Sequence, residues 1–186
     1  MSTERSAVLT WSRLEVLASP RARQVIGVVS FAVLTALGAK IALPIAGTSV
    51  PFTFQPLAVL LAGAMLGARR GAASQILYLA AGLAGFPVFS GFLFSVTGGY
   101  LIAYPVAAFV VGSLTSTSTL RNLGALLAGL AVIYAGGVAW LAILTGWSTA
   151  VVLGILPFVG ADLVKVLMAL VITNRIGRRS RALFGG

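Results

Sequence analysis

The stretch TAVVLGILPFVGADLVKVLMALVIT, residues 149–173, decides the fold class. It is greasy enough for hydrocarbon, yet it holds Asp162 and, three positions on, Lys165. Past Glu15, Asp162 is the chain's single acidic residue. Moving one charge from water to the centre of a bilayer costs at least roughly 3 kcal/mol. Opposite charges three residues apart share a helix face and partly neutralise each other. Ionisable groups kept in such surroundings mark solute or ion pathways. The plainer alternative is a structural ion pair between packed helices.

Outward from that stretch the chain keeps the same character. Of its 186 residues 59% are hydrophobic and 9% charged, and mean hydropathy is +1.07. No soluble domain of this length hides so much apolar surface. The chain reads as an integral membrane protein with no room for a soluble domain. It has no cysteine and no histidine. That excludes disulfides, thiolate metal sites and histidine-ligated haem, and removes the usual general base. One intramembrane aspartate cannot form the carboxylate dyad of an aspartyl protease. Neither enzymatic activity nor a cofactor or metal is expected.

Six apolar segments can be drawn. They cover Gln24–Leu43, Phe54–Ala68, Ala72–Gly85, Gly98–Leu114, Leu123–Leu144 and Pro157–Ile176. The last is about 20 residues, enough to span, and proline suits its first turn. Residues 145–156 then form a capped turn and a short apolar hairpin arm. Residues 6–17 suit a weak interfacial helix on Val8, Trp11, Leu14 and Leu17. The N-terminus does not read as a signal peptide, because four arginines fall within its first 23 residues.

The net charge of +10 is explained by position, not by nucleic acid. Arg5, Arg13, Arg21 and Arg23 precede the first segment, and Arg69 and Arg70 follow the second. Arg121 follows the fourth, and Arg175, Arg178, Arg179 and Arg181 end the sixth. All fall on one side of a six-helix path. Cytoplasmic loops carry the excess of Lys and Arg, so both termini are expected in the cytoplasm. The expectation is an all-α, polytopic six-transmembrane-helix bundle in the cell (inner) membrane. A basic segment 1–23 precedes the membrane domain 24–176, and a basic tail 177–186 follows it.

Prolines Pro44, Pro51, Pro56 and Pro87 bracket the outer loops, and the second and third segments are short. Non-helical backbone at membrane depth survives only where protein covers it or it lines a cavity. Pro44–Pro56 is thus a candidate loop folded over a pocket, with Thr48, Ser49, Thr53 and Gln55 as its polar members. Lys40 snorkels at the outer end of the first segment. Ala32 and Ala36, and Gly63 and Gly67, form small-xxx-small pairs that let helices approach closely. No phosphate-binding Gly-Lys-Ser/Thr is present, so ATP-driven work would need a partner ATPase.

Several strings now become specific. They are Val50-Pro-Phe-Thr-Phe-Gln55, Leu57-Ala-Val-Leu-Leu-Ala-Gly63, Leu66-Gly67 and Arg70-Gly71. Tyr78, Phe86-Pro-Val-Phe-Ser-Gly91, Thr97-Gly-Gly-Tyr100 and Asp162-Leu-Val-Lys165 continue the series. In order and spacing the chain closely resembles the BioY family of biotin transporters, over more than half its length. The resemblance implies a six-helix substrate-binding component of an energy-coupling-factor transporter. Such a component captures biotin from outside and works with a membrane coupling subunit and cytoplasmic ATPases. It also implies that Ala32 and Ala36, matching the family's helix-one AxxxA, face the coupling subunit.

Biotin, the transported substrate on that reading, offers ureido N–H donors, a carbonyl, an apolar bicycle and a carboxylate. Asp162 suits the N–H groups, and Lys165 the carbonyl or the carboxylate. Phe89 and Tyr100 suit the walls of a mainly apolar pocket, and Gly98 and Gly99 offer backbone N–H groups to an anion. With Gln55 and Tyr78 these make the candidate substrate-binding set. The uncharged link Gly91-Phe-Leu-Phe-Ser-Val96 departs from the longer glycine-rich stretch of many family members, so the resemblance names no carboxylate partner. Two other readings stay open: a proton-coupled transporter of another small anion with Asp162 as relay, and a non-transporting subunit.

Overall fold

The computed structural model describes residues 19–90 and 95–184. The interfacial helix expected over residues 6–17, and residues 91–94 of the uncharged link, lie outside them. The first helix, α1 (Pro20–Lys40), begins earlier than its apolar residues suggest. Ser19 caps it, accepting from the Ala22 N–H at 3.1 Å, and Pro20 follows where no N–H is needed. It stops short of Leu43 because β1 (Ala42–Leu43) pairs antiparallel with β2 (Phe52–Thr53) in a two-residue ribbon. This ribbon is the loop expected to fold back. The Phe54 N–H donates to the Gly38 carbonyl at 3.2 Å, and the Thr48 hydroxyl to Leu153 O at 2.8 Å.

The remaining helices are α2 (Gln55–Leu66), α3 (Ala68–Leu83), α4 (Gly98–Leu114), α5 (Thr119–Thr145), α6 (Trp147–Gly154) and α7 (Val159–Phe184). Gly67 alone joins α2 to α3. Its φ of 79° lies in the left-handed region, where glycine meets no Cβ penalty. It makes the turn, and its backbone also lies against Gly112 of the helix that ends nearby. Arg69 and Arg70 accordingly sit in the first turn of α3 instead of in a loop. The hairpin arm expected before the sixth segment is helix α6, set at 53° to α7. The α7 helix also runs past Ile176 to Phe184, so Arg178, Arg179 and Arg181 are helical.

The α2 helix is the centre of the bundle. It packs against α1, α3, α4, α5 and α7, and ten of its twelve residues are buried. Inside a bilayer the hydrophobic effect does not hold helices together, and close van der Waals approach does. Gly63 provides that approach: a Cβ there would run into the Ala108 carbonyl of α4. The outward faces are apolar, as on α1 with Val25, Val29, Val33 and Leu37, and on α7 with Val164, Leu167 and Val171.

By length and composition, α1 and α5 are each able to cross a membrane, and the bent pair α6–α7 passes the same test only when taken together. The α2 and α4 helices are apolar but shorter. At 1.5 Å per residue α2 is about 18 Å long, less than the roughly 30 Å hydrocarbon core.

The helices alternate between two ends. At one end Arg181 of α7 donates to Ala64 O of α2 (2.8 Å) and to Gly112 O and Thr115 O at the close of α4 (both 3.2 Å). Asn122 at the start of α5 donates to Asn174 of α7 at 2.8 Å. The arginines of the described residues gather at this end. At the other end lie the ribbon, α6 and the start of α7.

Candidate functional site

The α7 helix begins just after Pro157, and the Asp162 N–H donates to Phe158 O at 2.8 Å. A carboxylate in the first turn is favoured by the unpaired N–H groups there. One helical turn later Lys165 lies on the same face. Its Nζ donates to Asp162 Oδ1 at 2.6 Å, so the pair expected from spacing forms. Both residues are buried, at 4% and 3% exposure, which leaves neither charge to be screened by bulk water. The other carboxylate oxygen accepts from the Tyr134 hydroxyl of α5 at 2.6 Å. Lys165 also donates to Thr53 O of β2 at 2.6 Å, and its ammonium lies 3.7 Å from the centroid of the Phe52 ring. A cation over an aromatic face is stabilised by the ring quadrupole.

These groups floor a small, partly open cavity whose walls are mainly apolar with a few polar groups, the composition common for small-molecule sites. Val50, Leu101, Ile133 and Phe158 supply apolar wall, and Thr53, Gln55, Tyr100, Tyr104 and Tyr134 supply polar atoms. A second cavity above it shares Val50, Pro51, Ser90 and Thr97 as walls. It continues outward between the ribbon and residues 95–97. The donors and acceptors are held in place. Gln55 Nε2 donates to the Tyr78 hydroxyl at 2.6 Å, while its Oε1 accepts from Thr53 at 3.2 Å. The Tyr100 hydroxyl donates to Gly154 O at the end of α6, at 2.8 Å.

Of the eight residues expected to bind substrate, Gln55, Tyr100, Asp162 and Lys165 line this cavity. Tyr78 and Phe89 stand one layer behind. Their rings meet edge to face at 5.3 Å, and Tyr78 reaches the cavity through its bond to Gln55 and its ring contact with Tyr104. Gly98 and Gly99 are also absent from its lining. The Gly98 N–H is occupied by Ser95 O at 3.1 Å, and Gly99 is where α4 meets the Gly136 carbonyl of α5. Ala32 is buried in the core cluster that contains Tyr78, and Ala36 packs against it. Ala32 is covered by this chain's own helices, while Ala36 is half-buried and borders the exposed apolar stripe of Val25, Val29 and Val33. The sequence reading missed Tyr134 and Tyr104. A tyrosine within an apolar helix reads as core, and only the contact across 28 positions gives Tyr134 its partner.

The chemistry available is recognition, not turnover. A carboxylate has about four lone-pair sites, so Asp162 can still accept from a ligand's N–H groups beside Lys165 and Tyr134. Lys165 has three N–H donors, and two are engaged. No group of three or more potential metal ligands occurs among the described residues.

A bundle of apolar helices with a part-open cavity floored by one ion pair is a helical membrane protein built to hold a small polar-headed solute. A family model described as the BioY family matches residues 7–182. The chain is 40% identical over 162 residues to a probable biotin transporter BioY of Pyrococcus horikoshii, covering 84% of this chain and 97% of that one. It is 36% identical over 163 residues to the biotin transporter BioY of Thermotoga maritima, covering 83% and 95%. The chain belongs to the BioY family. Its fold is shared with the 2.1 Å crystal structure of the S-component for biotin from an ECF-type ABC transporter. That match has a TM-score of 0.75 and 22% identity, over 99% of this chain and 98% of the other.

Proposed function

We propose that this chain is the membrane-embedded subunit that captures biotin for uptake. It is a transporter component, not an enzyme, and biotin is its cargo. One observation carries the reading: a buried Asp162–Lys165 pair, with acceptor and donor capacity to spare, floors a mainly apolar cavity. The ureido group is a compact donor–acceptor head that matches such a pair, and the bicycle and valeryl chain match the apolar walls. Support for the biotin assignment comes from the relatives' names and from shared family membership.

The finer points belong to the same proposal. Six helical passes cross the cell membrane, with α6 as an extra short helix before the sixth. The arginine end faces the cytoplasm, as the excess of basic residues favours, so the cavity opens outward. Partner subunits, a membrane coupling protein and ATP-binding cassette ATPases, supply the energy, since this sequence has no phosphate-binding loop.

Equilibrium binding of radiolabelled biotin to the purified full chain tests the reading. Saturable binding that Asp162→Asn weakens by about tenfold, roughly 1.4 kcal/mol, is expected. Absence of saturable binding by the folded chain would overturn it. Uptake that needs no partner and collapses with the proton gradient would assign the chain to proton-coupled transport instead.

A further inference from the structure

A third cavity lies at the arginine end, far from the ion pair. It lies partly open between the α4–α5 connection and the last turns of α7. Its walls include Thr115, Asn122, Thr173, Arg178 and Arg181, and no apolar side chain lines it. That composition is unusual in a chain that is 59% hydrophobic. The biotin reading makes no use of it.

Charge decides what such a cavity holds. Asp162 is the one carboxylate side chain among the described residues, and Lys165 takes it. Arg181 is half-buried and held by three backbone carbonyls. These orient the guanidinium and offset part of its charge, but they supply no full negative charge. A guanidinium has five N–H donors, so Arg181 keeps donors beyond these three bonds. Arg178 stands on the same wall, exposed, three positions earlier. The Thr173 hydroxyl is buried with no hydrogen-bond partner. The α5 helix begins at this cavity, and no side chain caps its first turn, so its dipole adds positive potential.

From these features together we infer that the cavity at the arginine end is a binding site for a phosphate-class anion, held by Arg178 and Arg181 with hydroxyl and amide groups around it. Arginine is the side chain suited to this task, because its planar fork matches two oxygens of a phosphate at once. Free phosphate and the headgroup of an anionic phospholipid share that chemistry.

The test is native mass spectrometry of the full chain in detergent, titrated in separate arms with inorganic phosphate, phosphatidylglycerol and phosphatidylcholine. Saturable one-to-one binding is expected with phosphate or with phosphatidylglycerol, and the arm that binds identifies the source. Arg178→Gln should weaken it by about tenfold, the loss of one charge-assisted contact. Arg121→Gln, an exposed arginine outside the lining, should leave it unchanged, and biotin binding should be unaffected in both variants. Arg181→Lys keeps the charge and loses the fork, so it should weaken binding without unfolding the chain. Equal losses from Arg121→Gln and Arg178→Gln would show diffuse surface attraction and overturn the site. So would absence of saturable binding in all arms, or equal binding of phosphatidylcholine.

Discussion

Lys165 Nζ lies 2.6 Å from the backbone carbonyl oxygen of Thr53. One bond thus ties the charged turn of α7 to the ribbon that roofs the cavity, 112 positions away in sequence. Any movement of β2 changes what Lys165 touches, and a ligand competing for that ammonium loosens the roof.

Removing one member of the ion pair should cost more than neutralising both. Breaking a buried pair strands a charge at about 3–5 kcal/mol, whereas a neutral pair of similar shape strands none. Asp162→Asn and Lys165→Ala should each lower the midpoint of thermal unfolding. Asp162→Asn combined with Lys165→Gln should recover much of that loss while still binding biotin weakly. Thermal unfolding followed with binding on the same samples checks this, and additive destabilisation would contradict it.

Tyr134→Phe deletes one hydrogen bond to a carboxylate and little volume. The bond is made in the unliganded chain too, so only its part in orienting the carboxylate counts toward affinity. Affinity for biotin should therefore fall, by less than in Asp162→Asn, because the Lys165 contact still orients the carboxylate. An unchanged dissociation constant would remove Tyr134 from the site.

Single cysteines at Ser49 and Thr117 should be labelled from opposite sides of the membrane. The ribbon and the α4–α5 connection lie at opposite ends of the bundle, and the basic end is expected inside. An impermeant maleimide applied to intact cells should modify the first and spare the second. Modification of both from outside would reject the orientation.

Ala32→Leu with Ala36→Leu should destabilise the isolated chain. Ala32 is 7% exposed and sits in the core cluster, with half-buried Ala36 packed against it, and overpacking a filled site costs about 1–3 kcal/mol. Val33→Ala with Leu37→Ala, on the open face, should leave unfolding unchanged. The reverse order would show that the Ala32–Ala36 stripe is not filled by this chain's own helices.

What was legible in the sequence was what local chemistry controls. Gly98–Leu114 forms as read, because glycines and Thr97 mark its start and polar residues follow Leu114. The Asp162–Lys165 contact follows from helical spacing alone. Helix starts were misplaced where a cap or one glycine sets the boundary, as Ser19 and Gly67 do. The α6 helix was missed although Gly146, with φ 85°, signals a break before it. Half of the expected binding set lies behind or beside the cavity, since residue type cannot tell a wall from its support. Tyr134 and the arginine-end cavity arise from contacts between distant segments, which no local pattern encodes.

The central position of α2 bears on how the protein is made. A ribosome finishes α2 before α3, α4, α5 and α7 exist, yet those helices cover most of its surface. Arg181, which bonds to Ala64 of α2, is synthesised 117 residues later. The middle of the molecule is thus laid down early and completed last. Being too short to span on its own, α2 depends on its successors for a place in the bilayer. A chain arrested before α7 would leave its core helix open on the side that α7 covers, in a form suited to quality-control proteolysis.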